Sequence, residues 1–271
     1  GRPSGKALVK ILLTNDDGYD APGINVLRER LMDDNHEVYV MAPATNQSGK
    51  SQSINISGKM KVRAIDENFF SCAGTPADCV MTAIHGHLFE RPDMILSGIN
   101  RGPNLGLDIL YSGTCGAARQ GVLLGIPSAA LSVMFHDDEI FGSENESDYQ
   151  AMADFAAKNL KAFARLSNTA VGLKMPKDRC VFVNVNGMAG DKPYKGGKMA
   201  GVSFREYVGD KVDFEEAGEG LYERIFSGGK VISSSREYSD YEACVDGYAA
   251  VSRLYAEPVA AQALDGIEFK V

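Results

Sequence analysis

A chain of 271 residues with 44% hydrophobic and 24% charged side chains has the apolar content for a full core. Length alone leaves one large α/β domain or two small ones open. A formal net charge of −8 offers no basic footprint for long nucleic acid, and no apolar run approaches the roughly 18 residues of a membrane helix.

Cys72, Cys79, Cys115, Cys180 and Cys244 are odd in number and scattered, with no C-x-x-C pair. They fit buried thiols in a reducing cytoplasm better than a disulfide frame or a zinc site. The pattern of a signal peptide is absent, and the opening Gly1-Arg2-Pro3-Ser4-Gly5 is given no part in the fold.

In chain order, residues 7–14 form a nearly all-apolar run, as in a strand buried on both faces. Ile24, Leu27 and Leu31 then fall at helical spacing over 24–34, and 38–42 reads as a second buried strand. Alternation at Ile54/Ile56 and Val62/Ala64 predicts short β segments across 54–72. Gly74-Thr75-Pro76 supplies a cap and an N1 proline for a helix over 76–88. A strand over 93–97, a Gly/Asn/Pro-rich loop over 98–112 and a helix over 113–124 follow. Next come a strand at 127–135, a helix at 149–165 and a strand at 180–185. Strands alternating with helices imply a mostly parallel sheet with right-handed crossovers.

From about 187 the pattern changes to frequent glycines and short alternating runs such as 201–207 and 221–226. Residues 187–235 therefore read as a β-hairpin excursion suited to an oligomer contact or a lid. A short helix and a strand at 249–254 return to the core. The expectation is a single unit over 1–271. Its Rossmann-like α/β core runs from about 6 to 186, and a terminal segment covers 239–271.

Four segments carry chemistry. Asn15-Asp16-Asp17-Gly18 ends the first strand, where open α/β sheets bind ligands. Adjacent carboxylates repel unless a proton or cation lies between them, and a hard divalent ion is the simplest occupant. A strand-end turn or helix cap is the plain alternative. Ser48-Gly49-Lys50-Ser51 resembles a phosphate loop, but Thr45 stands where its first glycine belongs, so only a hydroxyl and an approachable backbone remain.

Ser97-Gly98-Ile99-Asn100-Arg101-Gly102-Pro103-Asn104 follows another strand. Asn100 offers a neutral oxygen to a cation, and Arg101 a charge for phosphate. Tyr111-Ser112-Gly113-Thr114 opens a helix, which is either an anion site or ordinary N-capping. His36, His85, His87 and His136 lack ligand spacing for zinc, and no G-x-S-x-G element supports a serine hydrolase.

Leu12 through Ile24 closely resembles the amino-terminal signature of the SurE family. Ala42–Gly49, Gly74–Val80, Ser97–Gly106, Tyr111–Thr114 and Ser239–Tyr248 follow in the family's order. The sequence departs where Ser252-Arg253 replaces the usual threonine-proline. The resemblance implies a Rossmann-like fold with a β-hairpin extension. It also implies a divalent-metal nucleotidase acting on nucleoside 5′- and 3′-monophosphates, with short polyphosphate as a further substrate. Homodimers or homotetramers would form by exchanged carboxyl-terminal elements.

Carried over by position, the ligands of one Mg2+ or Mn2+ would be Asp16, Asp17, Ser48 and Asn100. Asp16 and Asp17 would be catalytic, with Asp16 preferred as proton acceptor. Asn15, Gly49, Asn104, Ser112, Gly113 and Thr114 are the expected phosphate and substrate contacts. Two other readings compete. One is a phosphatase with an aspartyl-phosphate intermediate, which usually wants D-x-D spacing. The other is a nucleotide-binding module without turnover.

Overall fold

The computed structural model describes residues 8–135, 144–170, 178–228, 230–235 and 237–260. His136, the first residue of the expected 7–14 strand and the end of the terminal segment lie outside them. The elements in order are β1 (Lys10–Thr14), α1 (Pro22–Asp33), β2 (Glu37–Pro43), β3 (Val62–Asp66), β4 (Phe69–Cys72), α2 (Pro76–His85) and β5 (Met94–Arg101). A 3-10 helix (Gly106–Leu110), α3 (Gly113–Leu123), β6 (Ser128–Met134), α4 (Ser147–Leu166) and β7 (Val181–Met188) follow. The last are β8 (Gly197–Met199), β9 (Phe204–Val208), β10 (Lys211–Gly218), β11 (Leu221–Ser227), β12 (Lys230–Ser234), α5 (Asp240–Val245) and β13 (Ala249–Tyr255).

Among the described residues the main sheet has nine strands in the order β3-β4-β2-β1-β5-β6-β7-β13-β8. The stretch from β4 to β7 is parallel throughout, while β3 and β13 join antiparallel. The period-2 rule sorts β1 between two cores. Ile11 and Leu13 pack with Ile24, Leu27 and Leu31 of α1 and with Met152 and Ala156 of α4. Leu12 faces the other way, with Cys79 and Val80 of α2 and Ala117 of α3. Helices on both faces explain why these strands read as unbroken apolar runs.

Local signals set the helix ends. Thr75 Oγ accepts from the Asp78 amide at 3.2 Å while the Asp78 carboxylate accepts from the Thr75 amide at 2.9 Å, a reciprocal cap for α2. Among the described residues no helix is long and apolar enough to cross a membrane.

Two expectations are corrected. Ile54 and Ile56 belong to no strand: the segment between β2 and β3 is irregular, with Gly58 at φ +88° and Asn55 bonded to the Asp78 carboxylate. The expected 98–112 loop begins later. β5 runs on to Arg101 beside β6, with a register shift between Ser97 and Asn100, and the 3-10 helix fills 106–110.

The excursion is layered. β8 returns to the main sheet, β9 pairs with β12, and β10 pairs with β11, so a two-stranded arm leaves the body. In β13, Ser252 Oγ donates to the Ala200 carbonyl at 3.0 Å, and Arg253 Nε donates to the Leu166 carbonyl at 2.8 Å. These polar side chains tie β13 to its neighbours.

Candidate active site

The chain moves outward from β1 to β2 and β4, then returns to β5 on the other side of β1. The carboxyl ends of β1 and β5 therefore flank the point where strand order reverses, and a crevice opens there. Asp16 and Asp17 follow β1, and Asn100 lies at the end of β5.

Backbone hydrogen bonds stitch the four candidate segments together. The Gln47 amide donates to the Asp16 carbonyl at 2.7 Å, and the Ser51 amide donates to the Tyr111 carbonyl at 2.9 Å. The Arg101 amide donates to Asp17 Oδ2 at 3.0 Å. Thr114 donates twice to Asp16, from its hydroxyl to Oδ1 at 2.5 Å and from its amide to Oδ2 at 3.2 Å. Segments as far as 98 residues apart thus meet at two carboxylates.

Gly113 makes this approach possible. A Cβ there would sit 2.9 Å from Asp16 Cβ and 3.1 Å from Pro76 Cγ. The Gly113 amide also bonds to Asp16. The amino terminus of α3 is therefore an anion site, as the small residues suggested, but its anion is the Asp16 carboxylate.

The electrostatics are unbalanced. Burial pushes the Asp16 carboxyl above the ordinary range, against the pull of the Thr114 and Gly113 donors. Asp17 is pushed up to about 7 by burial and by the charge of Asp16, with the Arg101 amide opposing. The nearest ion pair is spent elsewhere, between Arg101 and Glu144 at 3.5 Å. Asp16 is buried and Asp17 half-buried, and their charges conflict. The Arg101 guanidinium that opposes the upward shift of Asp17 is paired with Glu144, so the couple suits a hard cation.

The neutral oxygens agree. Asn100 donates through its amide nitrogen to the Gly102 carbonyl at 2.8 Å, which orients its side chain. Asn100, Ser48 and Asp16 line one cleft of about 290 Å3. Carboxylate, hydroxyl and carboxamide oxygens make a donor set for Mg2+ or Mn2+. Among the described residues no three His, Cys, Asp or Glu side chains gather as a metal site, so the neutral oxygens would have to complete it.

The expected substrate contacts divide. Gly49, Asn104 and Ser112 line the cleft. Gly49 has φ +74° with open space where a Cβ would project. Asn104 is anchored by Ser132 Oγ at 2.8 Å and by Asn184 and Asn186, which donate to its carbonyl. Ser112 Oγ caps α3, accepting from the Cys115 amide at 3.0 Å.

Three residues do other work. Asn15 is fully buried and closes the turn, bonding the Gly18 carbonyl at 2.7 Å and the Gly18 amide at 3.3 Å. Thr114 is fully buried and holds Asp16, and Gly113 is the gap that lets Asp16 in. Asp108, Tyr111 and Tyr207, given no role by sequence reasoning, also line the cleft. Tyr111 adjoins the Ser112 motif, whereas Tyr207 arrives from the arm with no local signal.

The family model described as "Survival protein SurE" matches residues 11–208. The chain belongs to the SurE family. The 5′-nucleotidase SurE of Xanthomonas axonopodis pv. citri (strain 306) is 40% identical over 168 residues, which cover 62% of this chain and 64% of that relative. The 5′-nucleotidase SurE of Xanthomonas oryzae pv. oryzae (strain PXO99A) is 39% identical over the same shares. The match thus spans just under two thirds of these relatives' length. The crystal structure of the SurE protein from Aquifex aeolicus aligns over 92% of this chain and 94% of its own, with a TM-score of 0.71 and 35% identity.

Proposed function

We propose that the protein is a divalent-metal-dependent phosphomonoesterase that releases phosphate from nucleoside 5′- and 3′-monophosphates and from short polyphosphate. One observation carries the reading. Asp16 and Asp17 follow β1 at the strand-order switch of the sheet, burial pushes both carboxyls up and the charge of Asp16 pushes Asp17 further, and Asn100 and Ser48 line the same cleft as Asp16. The nucleotidase names of the Xanthomonas relatives support a nucleotide as the phosphoester.

Asp16, Asp17, Ser48 and Asn100 would hold the ion. When bound there, a hard cation supplies polarisation of a phosphoryl oxygen and a water of lowered pKa. The rest falls to the chain. Thr114 fixes both oxygens of Asp16, so this carboxylate is aimed before substrate arrives. We keep the proton-accepting role with Asp16, the aspartate that lines the cleft. The Gly49 backbone and the Arg101 side chain face the same cleft and suit the equatorial oxygens as charge redistributes. The amides of Gly113 and Thr114 serve Asp16 instead.

The same reading takes residues 1–271 as one unit, with cytoplasmic residence supported by five buried free thiols. It also takes the arm as the oligomer contact of a homodimer or homotetramer. On β10 and β11, Val212 faces Phe226, Phe214 faces Arg224 and Glu216 faces Tyr222, so one side of the ribbon is mainly apolar. An isolated two-stranded ribbon is at best marginal in water, and an exposed apolar face marks an interaction surface.

Phosphate release from nucleoside monophosphates, measured with Mg2+ or Mn2+ and again with chelator, tests the activity. Chelation should abolish it, and Asp16→Asn should lower it at least about a thousandfold while the circular dichroism spectrum is kept. Undiminished release in that variant removes the site assignment.

A further inference from the structure

The cleft has a mixed lining. Asp16, Ser48 and Asn100 supply oxygen donors to the lining, and Tyr111 and Tyr207 line the same cleft. Neither ring serves the core: Tyr111 is 65% exposed and Tyr207 42%. Yet both are held at their roots. The Tyr111 amide donates to the Asp108 carbonyl at 3.0 Å, and its carbonyl accepts from Ser51.

Tyr207 is fixed more elaborately. Its hydroxyl donates to the Asp108 carboxylate, which also pairs with Arg205 Nε at 3.2 Å. The start of β9 is clamped to the body because the buried Asp240 carboxylate accepts from the Gly106 amide at 3.1 Å and the Ser203 amide at 3.0 Å. Gly106 permits that contact, since a Cβ there would meet the Ser203 carbonyl oxygen at 2.4 Å. Exposed aromatic surface on rigid supports costs little ordering when a ligand lands on it.

We propose that Tyr111 and Tyr207 form a nucleobase platform, Tyr111 stacking on the base and Tyr207 walling the opposite side. This rests on the reading that the cleft takes nucleoside monophosphates. The phosphate goes to the oxygen donors, and the flat, uncharged ring system of the base meets the two aromatic side chains. Every base has a π face, so the platform is tolerant of base identity. The arm thereby contributes a wall to the site, and contact with a nucleotide is felt at its root.

The test compares adenosine 5′-monophosphate, cytidine 5′-monophosphate and ribose 5-phosphate, which carries the same ester without a base. Equilibrium binding by calorimetry and steady-state kinetics are measured for the native chain, Tyr111→Leu, Tyr207→Leu and the two Phe variants. The native chain should favour both nucleotides over ribose 5-phosphate. Each Leu variant should lower that preference roughly tenfold, chiefly through KM, as expected for one lost base–aromatic contact. Tyr111→Phe keeps the ring and should keep the preference.

A native chain that binds ribose 5-phosphate as tightly as the nucleotides overturns the proposal. So do Leu variants that weaken all three ligands equally, or none. A chain that prefers nucleotides in the calorimeter but releases no phosphate sustains the platform while the phosphomonoesterase reading falls.

Discussion

Asp16 and Phe214 break the usual burial rule in opposite directions. Asp16 is a carboxylate only 3% exposed, held by donors from α3, while Phe214 is an aromatic ring 66% exposed on the arm. Buried polar groups and exposed large apolar surface are the informative departures from a globular average. Around Asp16 the packing is tight away from the cleft: Gly113 leaves no room for a Cβ, and Gln47 and Thr114 bond to the residue itself. Phe214 belongs to none of the buried apolar clusters among the described residues, and Glu215 even faces Glu223 across the ribbon, a like-charge pair that weakens it. The chain builds its own support for the first region and leaves the second exposed.

The sharpest way to break this contrast is to disturb the support of Asp16. In an α-helix Gly→Ala is ordinarily favourable by about 1 kcal/mol. At Gly113 the sign should reverse, because the new Cβ meets Asp16 and Pro76 at 2.9 and 3.1 Å. We expect a loss of about 1–3 kcal/mol in stability from overpacking, read from urea midpoints, together with roughly a hundredfold drop in phosphate release as Asp16 is displaced. A stabilised, fully active Gly113→Ala would show the Asp16 pocket to be soft.

Thr114→Val is the milder probe. It keeps the shape and removes the hydroxyl that reaches Asp16 Oδ1 at 2.5 Å. The expected cost is about 1.5–3 kcal/mol, the range for a hydrogen bond to a charged group, with roughly a tenfold fall in activity that Thr114→Ser restores. A Val variant indistinguishable from the parent would leave Thr114 without a positioning role.

Much of the supported region was legible in the sequence, and the reason is physical. β1, β2 and β5 are buried on both faces, so their apolar runs and the polar residues that end them are forced by the core. Parallel topology then delivers Asp16, Asp17 and Asn100 to one edge. What stayed hidden depends on tertiary contacts. Nothing local tells that the α3 amides are already taken by Asp16, or that Asn15 spends its carboxamide on Gly18. Ile54 and Ile56 alternate like a strand, but no sheet edge receives them. Tyr207 reaches the cleft only because Asp240, 33 residues later, clamps β9 beside Gly106.

The aspartate pair also makes the supported region sensitive to pH. In the metal-free protein Asp17 holds its proton up to about 7, whereas the unfolded chain releases it near the ordinary 3.8. Its folded-state proton affinity is raised, so unfolding releases a proton between about pH 4 and 7. Stability should therefore decline as pH rises through that window. Melting curves of the metal-free protein from pH 4.5 to 8 (values spanning roughly that window) check this. Asp17→Asn should flatten the decline, and added Mg2+ or Mn2+ should oppose it. A stability that rises over the same range would mean the two carboxylates are not in conflict.

The arm should yield the smallest effect on the subunit itself. Phe214→Ser combined with Phe226→Ser removes two rings that are more than half exposed, and neither packs into a buried cluster of the body. Surface changes of this kind fall within about 0.5 kcal/mol, so the melting temperature at low protein concentration should barely move. On the proposed oligomer reading, light scattering should instead show a shift toward monomer, because that reading places the lost apolar area between copies. If the isolated subunit were strongly destabilised, the rings would be packing within their own chain. The arm would then be as internally supported as the Asp16 pocket, and the distinction between the two regions would not survive.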